Sequence, residues 1–338
     1  MQAESCKSAV TGISKVSSLA AVLSCTEEEL IRVAARAPLF HKAGAMQWKK
    51  DGTPRPTHDA HPALKDIHEK IKNRLLKKVS FPRYLLGGIA DPDYPRTPEA
   101  HARVHTYSKI IISEDIQDFY PSTSRDLVYK IWKYLFHFSP QIAELLTQLT
   151  TYEGCLPQGW KTSGYLANLA FWEREPKFVD WLESQGYAYS RFADDVDVSS
   201  TSRMDNAAKT AIISELYRML RACGYNPKRT KHKIMTSGHQ MEVTGINVNR
   251  ERLSLPKSYR KAVRAKVFGL EKKSAHQRST KEYCKDWRSA VGQANHVRRF
   301  HQRTGEQLLQ RLAPIKPPKH LLAPKRKKQP NAVVKSRT

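Results

Sequence analysis

The sequence predicts an α+β fold, on three observations. Apolar residues recur at helix spacing along much of the chain, a β-branched run and an alternating segment near its middle read as strands, and the two kinds lack the regular alternation of a doubly wound sheet. Length and composition permit such a fold. With 338 residues, 40% hydrophobic and 9% aromatic, the chain makes one large or two ordinary domains and can bury a sizeable core, which argues against wholesale disorder.

Residues 17–37 read as helical, with Leu19, Val22 and Leu23 and then Leu30, Val33 and Ala34 at helix spacing. Thr26 and Glu29 form a capping box that starts a second helix after a short break. A turn is expected at 50–52, followed by Pro-rich chain. Residues 64–79 form an amphipathic helix with Leu64, Ile67, Ile71 and Leu75 on one stripe; 83–97, rich in Gly, Pro and Asp, reads as a loop, and 98–105 as a short helix.

The run KIIISEDI (109–116) is apolar and β-branched enough for a buried strand. Residues 127–149 are mostly helical with a break at Ser139 and Pro140, and 162–182 is a second helical region. The segment YAYSRFADDVDVSS (187–200) alternates on both sides of Ala193 and Asp194, as a β-hairpin requires. A helix over 206–223 stops at Gly224, a residue suited to the left-handed cap. Short strands are expected near Lys233 and over 243–248, and from Lys257 the pattern is helical and basic.

The charge is polarised. The 58 Lys and Arg outnumber 32 Asp and Glu, a net +26, and residues 250–338 alone hold 25 basic against 5 acidic residues. A polyanion partner is implied, and nucleic acid is favoured over a membrane surface because the cations are mixed with His, Gln and Tyr instead of facing a broad apolar stripe. The last stretch, 316–338, is Pro- and Lys-rich and is expected to be a flexible basic tail. No run approaches the roughly 18 apolar residues of a membrane span. The N-terminus shows no basic and then apolar leader, so a soluble, cytoplasmic protein is expected. Five scattered cysteines without a C-x-x-C pair are expected to be reduced thiols.

Asp115 ends an apolar strand, and Asp194 and Asp195 occupy a hairpin tip 79 residues later. Carboxylates at such positions are costly unless paired or metal-bound. Brought together from two strands, they can hold a pair of Mg²⁺ ions about 3.5–4 Å apart, an arrangement that activates a 3′-hydroxyl and stabilises leaving pyrophosphate. An isolated Asp-Asp is more often a plain turn. Here it is accompanied by EDIQDFYPS (114–122), LPQGWKTSGYLANL (156–169), RFADDVDVS (191–199), the Lys231 region and VTGINVN (243–249), five motifs in fixed order.

In that order and spacing the chain resembles the bacterial retron-type reverse transcriptases, from about Leu19 to about Arg311. The resemblance implies a right-hand polymerase: an N-terminal helical region (1–38), fingers (39–108), a palm with an antiparallel sheet (109–249, with fingers-contributed helices over about 125–170), and a basic helical thumb (250–315). It implies RNA-directed DNA polymerase activity with catalytic Asp115, Asp194 and Asp195. These would hold two Mg²⁺, Asp195 least directly, with the Ile116 carbonyl lending a ligand. Tyr120 falls at the steric gate that meets the sugar 2′ carbon and prefers deoxynucleotides, while Phe119 is expected in the core. Gln158 and Gly159 match the turn that contacts the incoming nucleotide. Arg55 matches a fingers residue that grips triphosphate, with a solvated surface Arg as the alternative. Lys231 matches the lysine near pyrophosphate, with Lys228 and Lys233 as neighbouring registers. Asn168 and Leu169 are expected to fix the helix.

The pattern also departs from the family. Phe192 replaces the Tyr of Y-A-D-D, and Lys161 and Gly164 stand where prolines would in the second motif, Trp160-Lys161 being similar to retroviral polymerases. Retron enzymes carry N-A-x-x-H ten residues before the catalytic Asp; here His105 is kept and His101 replaces Asn, while Val243-Thr244-Gly245 is intact. His101 and His105 have a zinc-ligand spacing, but no third or fourth ligand lies nearby in sequence.

In the basic thumb, Tyr259, Arg260, Arg264, Lys266, Lys272, Lys273, Arg298 and Arg299 offer cations and hydroxyl, and Trp287 and Phe300 aromatics, to an A-form duplex and structured RNA. The resemblance further implies a cognate structured non-coding RNA, priming from an internal guanosine 2′-hydroxyl, an RNA–DNA product, dNTP substrates, an anti-phage setting and a separately encoded effector protein. The alternatives are a group II intron-like or abortive-infection polymerase, and a structured-RNA binder with a vestigial site. The intact aspartates weigh against the last.

Overall fold

The computed structural model describes residues 3–48 and 52–322. Of the expected 50–52 turn, residues 50–51 lie outside the described residues, and so does the expected flexible basic tail (316–338) from 323 onward; its first part, 316–322, is described and carries a short helix at Lys319–Leu322. The chain divides into two compact units, Met1–Leu253 and Ser254–Thr338.

The first unit opens with β1 (Lys7–Ser8), α1 (Val16–Leu23) and α2 (Glu27–Ala35). Thr26 caps α2, its hydroxyl accepting from Glu29 N at 3.1 Å, so the capping box marks the helix start. β2 (His41–Ala43) pairs with β5 (His58–Ala60) around the ribbon of β3 (Gln47–Trp48) and β4 (Pro54–Arg55). α3 (Pro62–Arg74) buries Leu64, Ile67 and Ile71, the expected stripe. It ends sooner than the sequence suggests, passing through a 3₁₀ turn at Leu76–Lys78 into β6 (Val79–Ser80), which pairs with β1.

The segment read as a loop over 83–97 contains β7 (Leu85–Leu86), a strand too short to leave a period-two signal between Pro82 and the pair Gly87-Gly88. α4 (Pro98–Val104) starts at Thr97, whose hydroxyl accepts from Ala100 N, and carries Pro at its first turn. β8 (Ile110–Asp115) follows, then α5 (Arg125–Lys130) running into a π turn at Ile131–Leu135. Next come α6 (Pro140–Thr150), α7 (Ser163–Asn168), α8 (Glu175–Ser184), β9 (Ala188–Phe192), β10 (Asp195–Ser200) and α9 (Asn206–Ala222). The unit closes with β11 (Lys233–Thr236), β12 (Glu242–Val243) and β13 (Ile246–Asn247).

Among the described residues, five strands form the main sheet in the order β11-β8-β10-β9-β7. All its pairs are antiparallel except β7 on β9, which run parallel. β8 is central and apolar on both faces, with Ile110, Ile111 and Ile112 each at most 4% exposed, while its neighbour β10 buries Val196 and Val198 on one face and polar residues on the other. Burying such side chains contributes about 1.5–3 kcal/mol apiece. The sequence thus places at the middle of the sheet the two strands whose ends carry Asp115 and Asp195.

The second unit is helical: α10 (Lys257–Gln277), α11 (Lys281–Phe300), α12 (Gln302–Leu312) and α13 (Lys319–Leu322). Val263, Val267 and Leu270 of α10, Ala290, Ala294 and Val297 of α11 and Leu308 and Leu312 of α12 are its buried residues. Gly305 lets α12 approach α11, since a Cβ there would meet Arg298 Cα at 2.3 Å. No helix of the described residues is long and apolar enough to cross a membrane.

Candidate active site

Antiparallel register assembles the centre. Asp195 lies directly opposite Asp115 and also opposite Phe192, so β10 carries its first residue between β8 and the hairpin partner. Ile116 N donates to Asp194 O at 2.9 Å, bringing the tip of the hairpin against the end of β8. Three carboxylates from two segments far apart in sequence therefore share one sheet end. The hairpin loop is the two residues Ala193 and Asp194, and Ala193 has φ +55, a left-handed conformation that costs a residue with a Cβ. Two bonds hold it: Ala193 N donates to Leu86 O at 2.9 Å, and Arg191 Nη1 donates to Ala193 O at 3.0 Å.

The electrostatics ask for cations. Burial and then the charges of Asp194 and Asp115 push the Asp195 carboxyl up to about 6, and burial and then Asp115 raise that of Asp194. Lys231 Nζ donates to Asp115 Oδ2. Burial works against the Lys231 ammonium, but the bond and charge of Asp115 prevail and its pKa is raised. Two carboxyls strained toward the neutral form, beside a third, are oxygen donors suited to hard divalent ions, so the residues present fit a metal centre. Ile116 is buried, and bridges Pro227.

Of the other expected nucleotide contacts, Tyr120 and Arg55 are coupled to this centre, and Gln158 and Gly159 are fixed against β5. Tyr120 is partly buried, and its pKa is raised by burial and then by Asp194, with Arg55 acting in the opposite direction. Arg55 also acts on Asp194, so its charge reaches the carboxylates from β4. Gln158 O accepts from His58 N at 2.7 Å, which fastens the turn to β5. Gly159 has φ +115, and a Cβ there would meet His58 O at 2.6 Å, so glycine is required by both conformation and space. Phe119 is buried, as expected of a core aromatic.

The departures in the second motif have local causes. A Cβ on Gly164 would lie 2.6 Å from Gly88 O, so the chain crossing there excludes larger residues. Lys161 pairs with Glu69 of α3, tying the turn to that helix, and Trp160 Nε1 donates to Asp59 O at 3.2 Å. Asn168 is a brace: its Nδ2 donates to Gly87 O and Gly164 O, and its Oδ1 accepts from Arg191 Nη1.

Two groups were not found from sequence as parts of this region. Arg191 and Glu175 form an ion pair beneath the hairpin, both at most 1% exposed; an arginine inside an otherwise buried strand was the available signal. The absence of a third ligand near His101 and His105 is also corrected. Asp197, two residues beyond Asp195 on β10, brings a carboxylate oxygen into a buried cluster whose donor atoms lie within 4.8 Å of one another. It was invisible because strand pairing, and not sequence spacing, delivers it to α4. Burial pushes the Asp197 carboxyl up to about 7 and the His101 imidazole down to about 4.

The residues expected to meet RNA belong to the second unit. Arg260, Arg264 and Lys266 are on α10, Arg298 and Arg299 on α11. Arg264, Arg298 and Arg299 are exposed, whereas Lys266 is half-buried and donates to Ser289 Oγ at 2.7 Å. Phe300 is 6% exposed and packs inside the unit, and Trp287 Nε1 donates to Leu312 O. The exposed aromatic is instead Phe268, 52% exposed, with Lys272 Nζ 4.6 Å from its ring centre.

Residues 47–248 match the family model described as reverse transcriptase (RNA-dependent DNA polymerase). The chain is 31% identical over 293 residues to the retron Se72 reverse transcriptase of Salmonella heidelberg, covering 86% of this chain and 76% of the relative. It is 27% identical over 316 residues to the retron Ec48 reverse transcriptase of Escherichia coli, covering 90% and 77%. It is also 27% identical over 228 residues to the retron Ec86 reverse transcriptase of Escherichia coli, covering 68% of each. With that similarity running through the sheet and the carboxylate cluster, the chain belongs to the bacterial retron-type reverse transcriptases, RNA-directed DNA polymerases of right-hand fold whose chemistry depends on divalent metal.

Proposed function

We propose that the chain copies part of a cognate structured non-coding RNA into single-stranded DNA, starting from a 2′-hydroxyl of that RNA and leaving an RNA–DNA product. Asp115, Asp194 and Asp195, with the Ile116 carbonyl, hold two Mg²⁺. Bound there, the ions lower the pKa of the priming hydroxyl and stabilise the charge of the leaving pyrophosphate. The observation that carries this reading is the facing register of Asp115 and Asp195 with Asp194 at the adjoining tip.

The other residues bind and orient. Tyr120 closes the space beside the sugar 2′ carbon of the incoming dNTP; Gln158 and Gly159 line its site; Arg55 supplies a planar cation for triphosphate oxygens. Lys231, which donates to Asp115, protonates the leaving pyrophosphate. Residues 39–108 act as fingers, 109–249 as palm and 250–315 as a thumb. On α10, Arg260, Arg264, Phe268 and Lys272 recur every four residues and so form one stripe, a basic and aromatic track for an RNA or hybrid backbone. Arg298, Arg299 and Lys266 add to that field. The setting is the bacterial cytoplasm, in anti-phage defence with a separately encoded effector protein.

The test is the nucleic acid that co-purifies with the chain. Short DNA joined to RNA through a 2′–5′ branch supports the reading; linear, untemplated DNA overturns it. Asp194→Asn with Asp195→Asn removes nucleotide incorporation and leaves RNA binding, and persistent incorporation overturns the site assignment.

A further inference from the structure

Period-two alternation puts Asp195, Asp197 and Ser199 on one face of β10, and strand pairing sets Ser190 of β9 and Ser113 of β8 beside Asp197. α4 packs on the neighbouring β9, with His101 in its last turn and His105, four residues on, at its C-cap, reaching Ser190 of β9 and Ser199 of β10. The result is a polar layer within the core: His101 and His105 are fully buried and Asp197 is 3% exposed.

Such a layer is costly unless its polar atoms are satisfied, and here the accounting stops at His101. Neither of its ring nitrogens makes a well-aligned hydrogen bond, although the backbone of Ser190 lies close enough to act on the ring. Nε2 nonetheless lies 3.3 Å from Asp197 Oδ2. Two ligands bound at about 2.0 Å to one tetrahedral ion are about 3.3 Å apart, so a contact unsuited to a hydrogen bond has the length of a tetrahedral edge. The third donor, a ring nitrogen of His105, is within 4.8 Å of both.

The surroundings suit ligands as well. His105 contacts Ser199 Oγ through Nδ1 and Ser190 Oγ through Nε2, both at 2.8 Å, so one nitrogen can turn to an ion while the other keeps a hydroxyl that fixes the ring. Ser113 Oγ donates to the remaining Asp197 oxygen, Oδ1. Phe192 stacks on the His101 ring, at 5.8 Å between centres and 19° between planes, and closes the layer on that side.

We propose that His101, His105 and Asp197 form a buried structural metal site, distinct from the catalytic carboxylates, that takes zinc or a similar nitrogen-preferring divalent ion. Two imidazoles and one carboxylate select such an ion over Mg²⁺, which takes oxygen ligands in octahedral geometry. Water or a serine hydroxyl supplies the fourth position. The ion joins α4 to the strand that begins with Asp195, and so holds that strand from beneath.

The full-length chain, stripped of metal, is titrated with Zn²⁺ alone and with Co²⁺ alone. Expected are one tightly held zinc per chain, a tetrahedral cobalt spectrum and a zinc-dependent rise in thermal midpoint. All three are retained by the double variant Asp194→Asn/Asp195→Asn. His101→Asn, which restores the asparagine that the retron pattern has at this place, is expected to fold, to lose at least about tenfold in zinc affinity, as removal of one direct ligand requires, and to lose the midpoint rise. Asp197→Asn behaves likewise. No retained zinc in the wild-type chain, an octahedral cobalt spectrum, unchanged zinc affinity in His101→Asn, or loss of zinc in the double aspartate variant would each overturn the proposal.

Discussion

Arg191 and Glu175 meet as a two-point ion pair inside the first unit, Nε to Oε1 at 2.7 Å and Nη2 to Oε2 at 2.9 Å. Tyr189 also donates to Glu175 Oε1, at 2.6 Å, and Arg191 reaches Asn168 and the carbonyl of Ala193. One buried guanidinium therefore connects α8, α7 and the left-handed turn that presents Asp194. The fixed fork of Arg serves three partners at once, which the point charge of Lys cannot do.

Glu175→Gln leaves Arg191 buried with an uncompensated charge, and a loss of about 3–5 kcal/mol of unfolding free energy is expected. Arg218→Ala, which breaks an exposed pair with Glu215, is expected to change stability by about 1 kcal/mol or less. Urea unfolding of the two variants measures the difference, and equal losses would contradict the brace.

Asp195 links stability to pH in the opposite direction from a salt-bridged carboxylate. Its folded-state pKa is pushed up from 3.8 to about 6, so the folded chain binds the proton more tightly than the unfolded chain. The resulting stabilisation is present below about pH 4 and is lost as pH rises through about 6. Without divalent metal, Asp195→Asn is therefore expected to gain on the wild type between those values and to stay more stable at about pH 8. Thermal melts across pH test this. Added Mg²⁺ is expected to narrow the gap by stabilising only the wild type, while the variant is inactive throughout.

Much of this was legible because the strands carry short-range signals. The apolar run ending in Asp115 and the alternation around Ala193 and Asp194 predict the two central strands, and Thr26 predicts a helix start that its hydrogen bond from Glu29 N bears out. β7 was missed because two residues cannot show a period. Asp197 and Glu175 were missed for another reason: each matters through a partner brought in by tertiary packing, from α4 and β9, and no spacing in the chain records it. The same limit applies to Phe300 and Phe268. Both are aromatics in a basic helical region, and only packing of α11 and α10 decides that one is core and the other surface.

Lys231 places a positive charge on Asp115. Lys231→Ala is expected to bind Mn²⁺ about three- to tenfold more tightly, the scale of one unit charge near a divalent ion in a water-like dielectric. Loss of the proton donor is expected to lower turnover about 10²-fold at the same time. Opposite movement of metal affinity and turnover separates this role from a structural one. A fall in both would show that the lysine chiefly holds Asp115 in place.

Tyr120 lies close enough to Asp194 for the two to influence each other's charge, and in the proposed function it meets the sugar of the incoming nucleotide. Its neighbour Phe119 is fixed in the core, 5.6 Å away between ring centres, so Tyr120 has that side filled and cannot retreat from an added hydroxyl. Overpacking of this kind costs about 1–3 kcal/mol. Tyr120→Ala is therefore expected to raise ribonucleotide over deoxynucleotide incorporation by about 5- to 150-fold, while Tyr120→Phe keeps the ring and the discrimination. Single-nucleotide extension with each dNTP and its rNTP measures the ratio. A phenylalanine variant that lost discrimination would move the selectivity from the ring to the hydroxyl.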